Sequence, residues 1–209
     1  MKAAMFFSEA EKTRISAAIK SVEKKTSGEV AVMVVDSSDT YPEAAILGGI
    51  LLAGLLALLA TDLLLNDSLW HFVPIAFVLS LPASWLLAKT PALLRLFIAQ
   101  ARLEERLRNR ALMAFYEQGL HRTRANTGVL FFLSLFERRV WVLADEGIYQ
   151  KITQEDLATY ATEVAAAVKN GRACEVLCQE IEKVGAVLAE HFPITDDDTN
   201  ELSDQVIIG

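Results

Sequence analysis

Cys174 and Cys178 stand four residues apart, a spacing that puts two thiols on one face of a helix and supplies half of a metal site. No second pair exists, and His121 and His191 are not obviously convergent with them, so small buried core thiols are the favoured reading. Ser21-Val22-Glu23-Lys24 carries the letters S-x-x-K, but it lies in an amphipathic stretch where Ser and Lys are surface residues. Asp196-Asp197-Asp198 with Glu201 lacks the glycine and spacing of a calcium loop and reads as a solvated acidic tail. His71 beside Trp70 has the chemistry of a proton relay, yet at the end of an apolar run interfacial hydration is favoured. No glycine-rich phosphate loop, nucleophile elbow or His-Glu-x-x-His motif is present.

The elements that would position any chemistry are split by an apolar block. All 20 basic residues and all but two of the 27 acidic ones, Asp62 and Asp67, lie outside residues 44–88. Residues 44–61 carry no charge, and residues 69–88 have His71 as their one ionisable group. At ~1.5 Å per residue these runs reach about 27 and 30 Å, the thickness of a hydrocarbon core. The expectation is a transmembrane helical hairpin over 43–88, with the polar stretch Thr61 to Ser68 as its turn. Gly49, Ala53 and Ala57 give the first span a small face, suited to packing on the second span or on another copy. Pro74 and Pro82 interrupt the second span, and Trp70 and Trp85 mark its ends. Glu43 and Asp62 read as boundary markers rather than ion-pathway residues, and a channel or transporter would need polar groups that the spans nearly lack. Lys24 and Lys25 precede the block, and Lys89, Arg95, Arg102 and Arg106 follow it, while the connecting turn has no basic residue. The positive-inside rule then places both termini and the soluble part of a multi-pass membrane protein in the cytoplasm. Residues Met1 to Phe7 are too short for the apolar region of a signal peptide.

Around this block the periodicities describe one soluble domain. Ser8 with Glu11 forms a capping box ahead of a helix whose face is Ile15, Ala18, Ile19 and Val22. Glu29 to Val35 is β-branched and apolar on both sides, the pattern of a central strand. Residues 99–118 form a helix with a Leu103, Leu107, Ala111, Phe115 stripe and a C-cap at Gly119. Its Arg102, Arg106, Arg108 and Arg110 suit either anionic lipid headgroups or an ordinary solvated face. Strands at 129–135 and 140–144 flank a turn at Phe136 to Arg139, an antiparallel hairpin. Two helices follow, one capped by Thr153 and Asp156 and stopped at Asn170-Gly171, the other bearing Leu177, Ile181, Val184 and Leu188. The fold class is α/β (α+β): a small sheet flanked by helices. The organisation is 1–42 and 89–192 for the two parts of the domain, 43–88 for the hairpin and 193–209 for a mobile acidic tail. The net charge of −7 argues against nucleic acid as a partner, and two cysteines fit a reducing compartment.

Four segments in order resemble a TPM domain: Thr26-Ser27-Gly28-Glu29-Val30, Asn126-Thr127-Gly128-Val129-Leu130, Glu137-Arg138-Arg139-Val140 and Gly147-Ile148. The similarity covers roughly residues 5–36 and 98–192, and it is closest to a bacterial subgroup whose transmembrane hairpin follows the first strand. Gly128 should relieve a Cβ clash at the start of its strand, and Gly147 should take a positive φ. The resemblance implies divalent-cation binding, weak phosphatase activity, or assembly and maintenance of membrane complexes. Asn126 stands at the family's acidic position and offers only a neutral carbonyl, while Asp145 and Glu146 add two carboxylates. A site for a divalent cation such as calcium would therefore use Asp145, Glu146 and Asn126, and a solvated turn is the favoured alternative. The function expected is a membrane-anchored, non-catalytic interaction or assembly module, with the bilayer and a membrane protein or second copy as partners. The alternative is a cation-dependent, phosphatase-like hydrolase.

Overall fold

Seven consecutive residues of β1, Glu29–Val35, are buried, because alternate side chains leave the strand on opposite faces and both faces are covered. The computed structural model describes residues 2–64, 69–124, 126–194 and 201–209. In chain order the elements are α1 (Glu9–Glu23), β1, α2 (Pro42–Leu64), α3 (Leu69–Lys89), α4 (Pro91–Leu94), α5 (Gln100–Glu117), β2 (Gly128–Ser134), β3 (Arg139–Ala144), α6 (Glu146–Tyr149), α7 (Gln154–Lys169), α8 (Ala173–His191) and β4 (Ile207–Ile208). They divide into two units, Met1–Ser38 with Glu105–Gly209, and Asp39–Glu104.

The first unit is an α+β domain on a mixed sheet of order β3-β2-β1-β4. β1 runs parallel to β2 and to β4, and β2 runs antiparallel to β3. Val30, Val32 and Val34 join Val129, Phe131 and Leu133 on one face, in a core with Ile15 and Ile19 of α1, Leu157 and Val164 of α7, and Leu177 and Ile181 of α8. Ala31, Met33, Val35, Leu130 and Phe132 form the other face, against Leu107, Ala111, Ala114 and Phe115 of α5. Each large side chain so removed from water contributes about 1.5–3 kcal/mol. α1 begins with both halves of its capping box, and the bonds from Ser8 hold the Glu11 carboxyl below its ordinary range. α7 is boxed in the same way by Thr153 and Asp156.

Two features of this domain differ from the sequence expectations. The last residues do not stay apart as an acidic tail: Ile207–Ile208 adds a fourth strand to β1. Residues 195–200, including Asp196 to Asp198, lie outside the described residues. Gly147 has no positive φ, because it sits inside α6, which Asp145 caps. Gly128 does meet the close approach foreseen, since a Cβ there would stand 2.5 Å from the Leu120 carbonyl oxygen.

The second unit is a pair of long helices, α2 and α3, followed by α4 and the turn Arg95–Phe97. The small face of α2 is spent on α3: a Cβ on Gly49 would stand 2.5 Å from the Ser84 backbone, and Ala53 and Ala57 are fully buried. Large residues point the other way, with Trp70 89% and Leu81 73% exposed. Both helices are long and apolar enough to cross a membrane. Pro74 and Pro82 fall inside α3. Residues 65–68 of the expected turn lie outside the described residues. Glu43 in the first turn of α2 pairs with Arg102 of α5 at 3.1 Å.

Candidate functional site

Register gathers the candidate residues at one end of the sheet. Glu29 opens β1 opposite Gly128 of β2, and Ala144 closes β3 opposite Val129, so Asp145 follows at that same end. The Asp145 amide donates to the Gly128 carbonyl at 2.9 Å. Asn126, two residues before Gly128, takes φ 54°, and its amide donates to Thr123 O at 3.1 Å. Asn126 and Asp145 thus flank the same strand start. Glu146 is exposed as the first residue of α6.

One oxygen of Asp145 is engaged and the other is not. Oδ1 accepts the Glu146 amide at 2.8 Å, the N-cap of α6, while Oδ2 is buried without a hydrogen-bond partner among the described residues. A buried carboxylate oxygen without a partner is one donor of the kind a hard cation takes, of which calcium needs 6–8. Among the described residues, no group of three or more His, Cys, Asp or Glu side chains is placed to hold a metal ion. The three residues drawn from the resemblance comprise two carboxylates and one amide.

A second acidic group, which sequence reasoning did not assemble, stands at this end. Glu29 is buried and its Oε1 accepts the Glu201 amide at 3.0 Å. Glu23, last in α1, accepts the Val30 amide at 3.1 Å. Burial above all, with the nearby charges of Glu29 and Asp204, pushes Glu23 up to about 8 against the Val30 bond, which favours its anion. Asp204 is buried and lies 3.4 Å from Lys20. The available signal was a glutamate opening an otherwise apolar strand. Its contact with Glu201 spans 172 residues and leaves no local pattern. Thr127, fully buried, ties the two loops that lead into β1 and β2 by donating to Ser27 O at 3.0 Å.

The opposite end of the sheet carries a different carboxylate. Glu137, fully buried in the β2–β3 turn, accepts hydrogen bonds from the Ser134 hydroxyl, from the Ser37 hydroxyl at 3.3 Å and from the Ser38 amide at 2.9 Å. It fastens the turn to the segment by which the chain leaves β1, a structural task. The two thiols are structural as well. Cys174 and Cys178 are free and buried, and burial raises both, Cys178 to about 11, so neither is a nucleophile at neutral pH. Between α7 and α8, Lys183 bridges Glu163 at 2.9 Å and the fully buried Glu180 at 2.8 Å.

The family model described as the TPM domain matches residues 1–46, which hold α1, β1 and the Gly28-Glu29 pair. No curated protein matches the chain. Among solved structures, the chain is similar to the BA42 protein of the psychrophilic bacterium Bizionia argentinensis, determined by NMR. The two share 20% identity over 100% of this chain and 99% of that one, with a TM-score of 0.61, a likeness of fold. The family match thus concerns the N-terminal segment, and the solved structure shows a shared fold.

Proposed function

We propose that the chain is a membrane-anchored, non-catalytic interaction or assembly module of the bacterial inner membrane, its α+β domain on the cytoplasmic side. The observation that carries this reading is the outward direction of the large apolar side chains on α2 and α3. Only 39% and 11% of their most apolar stretches are buried, whereas a core helix of a soluble protein is mostly buried. An exposed apolar surface beyond a few hundred Å² calls for a lipid or protein partner. The hydroxyls of these helices bond to their own carbonyls, Thr61 to Ala57 at 3.0 Å and Ser84 to Ser80 at 2.8 Å, as a medium without water requires. Lys89 and Arg95 at the exit of α3 favour the cytoplasmic side. An interaction role is supported by the buried carboxylates Glu137 and Glu29, which serve the fold, and by the protonated thiols. The partner is a membrane protein or a second copy.

Crosslinking in native membranes tests the interaction: a specific adduct is expected, and a chain that is never captured with any protein contradicts it. Sidedness is tested by placing cysteines at Ser68 and Ser203 and applying an impermeant thiol reagent to intact spheroplasts. Ser68→Cys should react and Ser203→Cys should not, against a low background because the native thiols are buried.

One observation, the orphaned Oδ2 of Asp145, favours a second reading as a cation-dependent phosphatase-like hydrolase. Asp145, Glu146 and Asn126 would hold a divalent cation, calcium among the candidates, which when bound would polarise a phosphoryl oxygen. Phosphate-ester turnover that needs the metal and is lost in the Asp145→Asn, Glu146→Gln double variant would establish it; turnover unchanged by that variant would remove it.

A further inference from the structure

Beyond Lys89, where α3 ends, the chain folds back on the pair of long helices. A Cβ on Gly49 would stand 2.5 Å from the Ser84 backbone, so in this antiparallel pair Gly48 is level with Trp85. A Cβ on Gly48 would in turn meet the Phe97 ring at 2.8 Å. Phe97 has therefore returned to the level of Trp85, about 6 Å, one helical turn, short of Lys89. The reversal begins at Thr90, whose hydroxyl donates to Leu86 O at 2.8 Å and whose carbonyl accepts the Leu94 amide at 3.0 Å, with Pro91 opening α4. Just past it, Arg102 fastens the start of α5 to Glu43 in the first turn of α2.

This returning segment sorts its side chains by polarity. Leu94 and Ile98 are buried, while Leu93 and Leu96 face outward, Leu96 77% exposed. Standing near the level of Trp85, they continue the outward apolar surface of α2 and α3. Charge of one sign lies next to them. Between Asp67 and Glu104 the chain has no acidic residue, and it holds Lys89, Arg95 and Arg102. Lys89 is exposed, four residues beyond Trp85 and on the same face of α3. Glu43, the acid at the start of α2, is engaged by Arg102. An apolar level with a cation one turn further out repeats the order of acyl chain and phosphate in an anionic phospholipid.

We propose that residues 89–97 are an interfacial elbow that binds an anionic phospholipid, with Leu93 and Leu96 in the acyl region and Lys89 on the phosphate. Arg95 adds to the positive field around that phosphate. The inference rests on the membrane reading given above and deepens it by naming the class of lipid held at the base of the helices.

Brominated lipids quench a nearby tryptophan and so report which lipid stands beside it. The full chain is placed in vesicles of phosphatidylcholine and phosphatidylglycerol, one or the other brominated. Trp70→Phe leaves Trp85 as the tryptophan of α3, and Trp85→Phe leaves Trp70 at its other end, with Trp141 of β3 a background common to both. At Trp85 phosphatidylglycerol should be preferred about fivefold, the effect of one cation at the surface, and at Trp70 the two lipids should associate equally. Lys89→Gln should abolish most of the preference at Trp85, and Lys89→Arg should retain it, which separates charge from a damaged elbow. No preference at Trp85 in the parent chain, or one unchanged in Lys89→Gln, overturns the elbow, while the quenching itself leaves the membrane reading standing. Quenching of Trp70 without quenching of Trp85 overturns it too, since a protein surface would then cover the base. If neither lipid quenches either tryptophan, the elbow and the membrane reading fall together.

Discussion

In the α+β domain Phe131 and Leu130 are fully buried, while in the helical pair Phe77 and Leu81 are 74% and 73% exposed. The same residue types point inward in one unit and outward in the other, and small residues behave oppositely too. Gly49, Ala53 and Ala57 form the buried seam of the helices, where soluble cores place their largest side chains. Folding in water is driven by removing apolar area from solvent. On the proposed membrane reading the two helices gain nothing from that, and close backbone contact with satisfied hydroxyls takes its place. The contrast shows that composition alone does not tell what a residue contributes; the medium around it does.

Truncating one large apolar side chain in each unit gives the widest separation. Phe131→Ala should destabilise the domain by about 3–5 kcal/mol by leaving a cavity, whereas Leu81→Ala should stay within about 0.5 kcal/mol, both read by denaturant titration in detergent micelles. Equal losses would erase the distinction. Enlarging a seam residue sharpens it from the other side: Gly49→Val should weaken the helical pair by about 1–3 kcal/mol through overpacking against Ser84, measured as a lower unfolding midpoint in the same micelles. Within the domain, Glu137→Ala strands the Ser38 amide and two hydroxyls, for a loss of about 1–3 kcal/mol. That loss should come with faster exchange at Ser38 and none at the Asp145 end. The smallest effect is at a helix start, where Thr153→Ala should cost about 1 kcal/mol and leave the helical pair untouched.

Much of this architecture was legible residue by residue. The capping boxes at Ser8 and Thr153, the all-buried run of β1 and the β2–β3 hairpin stand within a residue or so of where periodicity put them. Their causes are local. β4 was not legible, since two isoleucines after an acidic stretch have no period and are held by a strand far back in the chain. Glu23 was not singled out, because the charges that perturb it, Glu29 of β1 and Asp204 near the C-terminus, lie outside its own helix. Gly147 was misread because the Asp145 cap turns the chain into a helix there instead of a positive-φ turn. Of the candidate site, the shared strand end of Asn126 and Asp145 followed from the hairpin, but the split fate of the two Asp145 oxygens required the fold.

Alkaline carbonate extraction of membranes carrying the full chain tests the membrane assignment most directly. The protein should remain in the sedimented bilayer and enter solution only with detergent. Recovery in the aqueous supernatant as a folded, monodisperse species would contradict the account at its base.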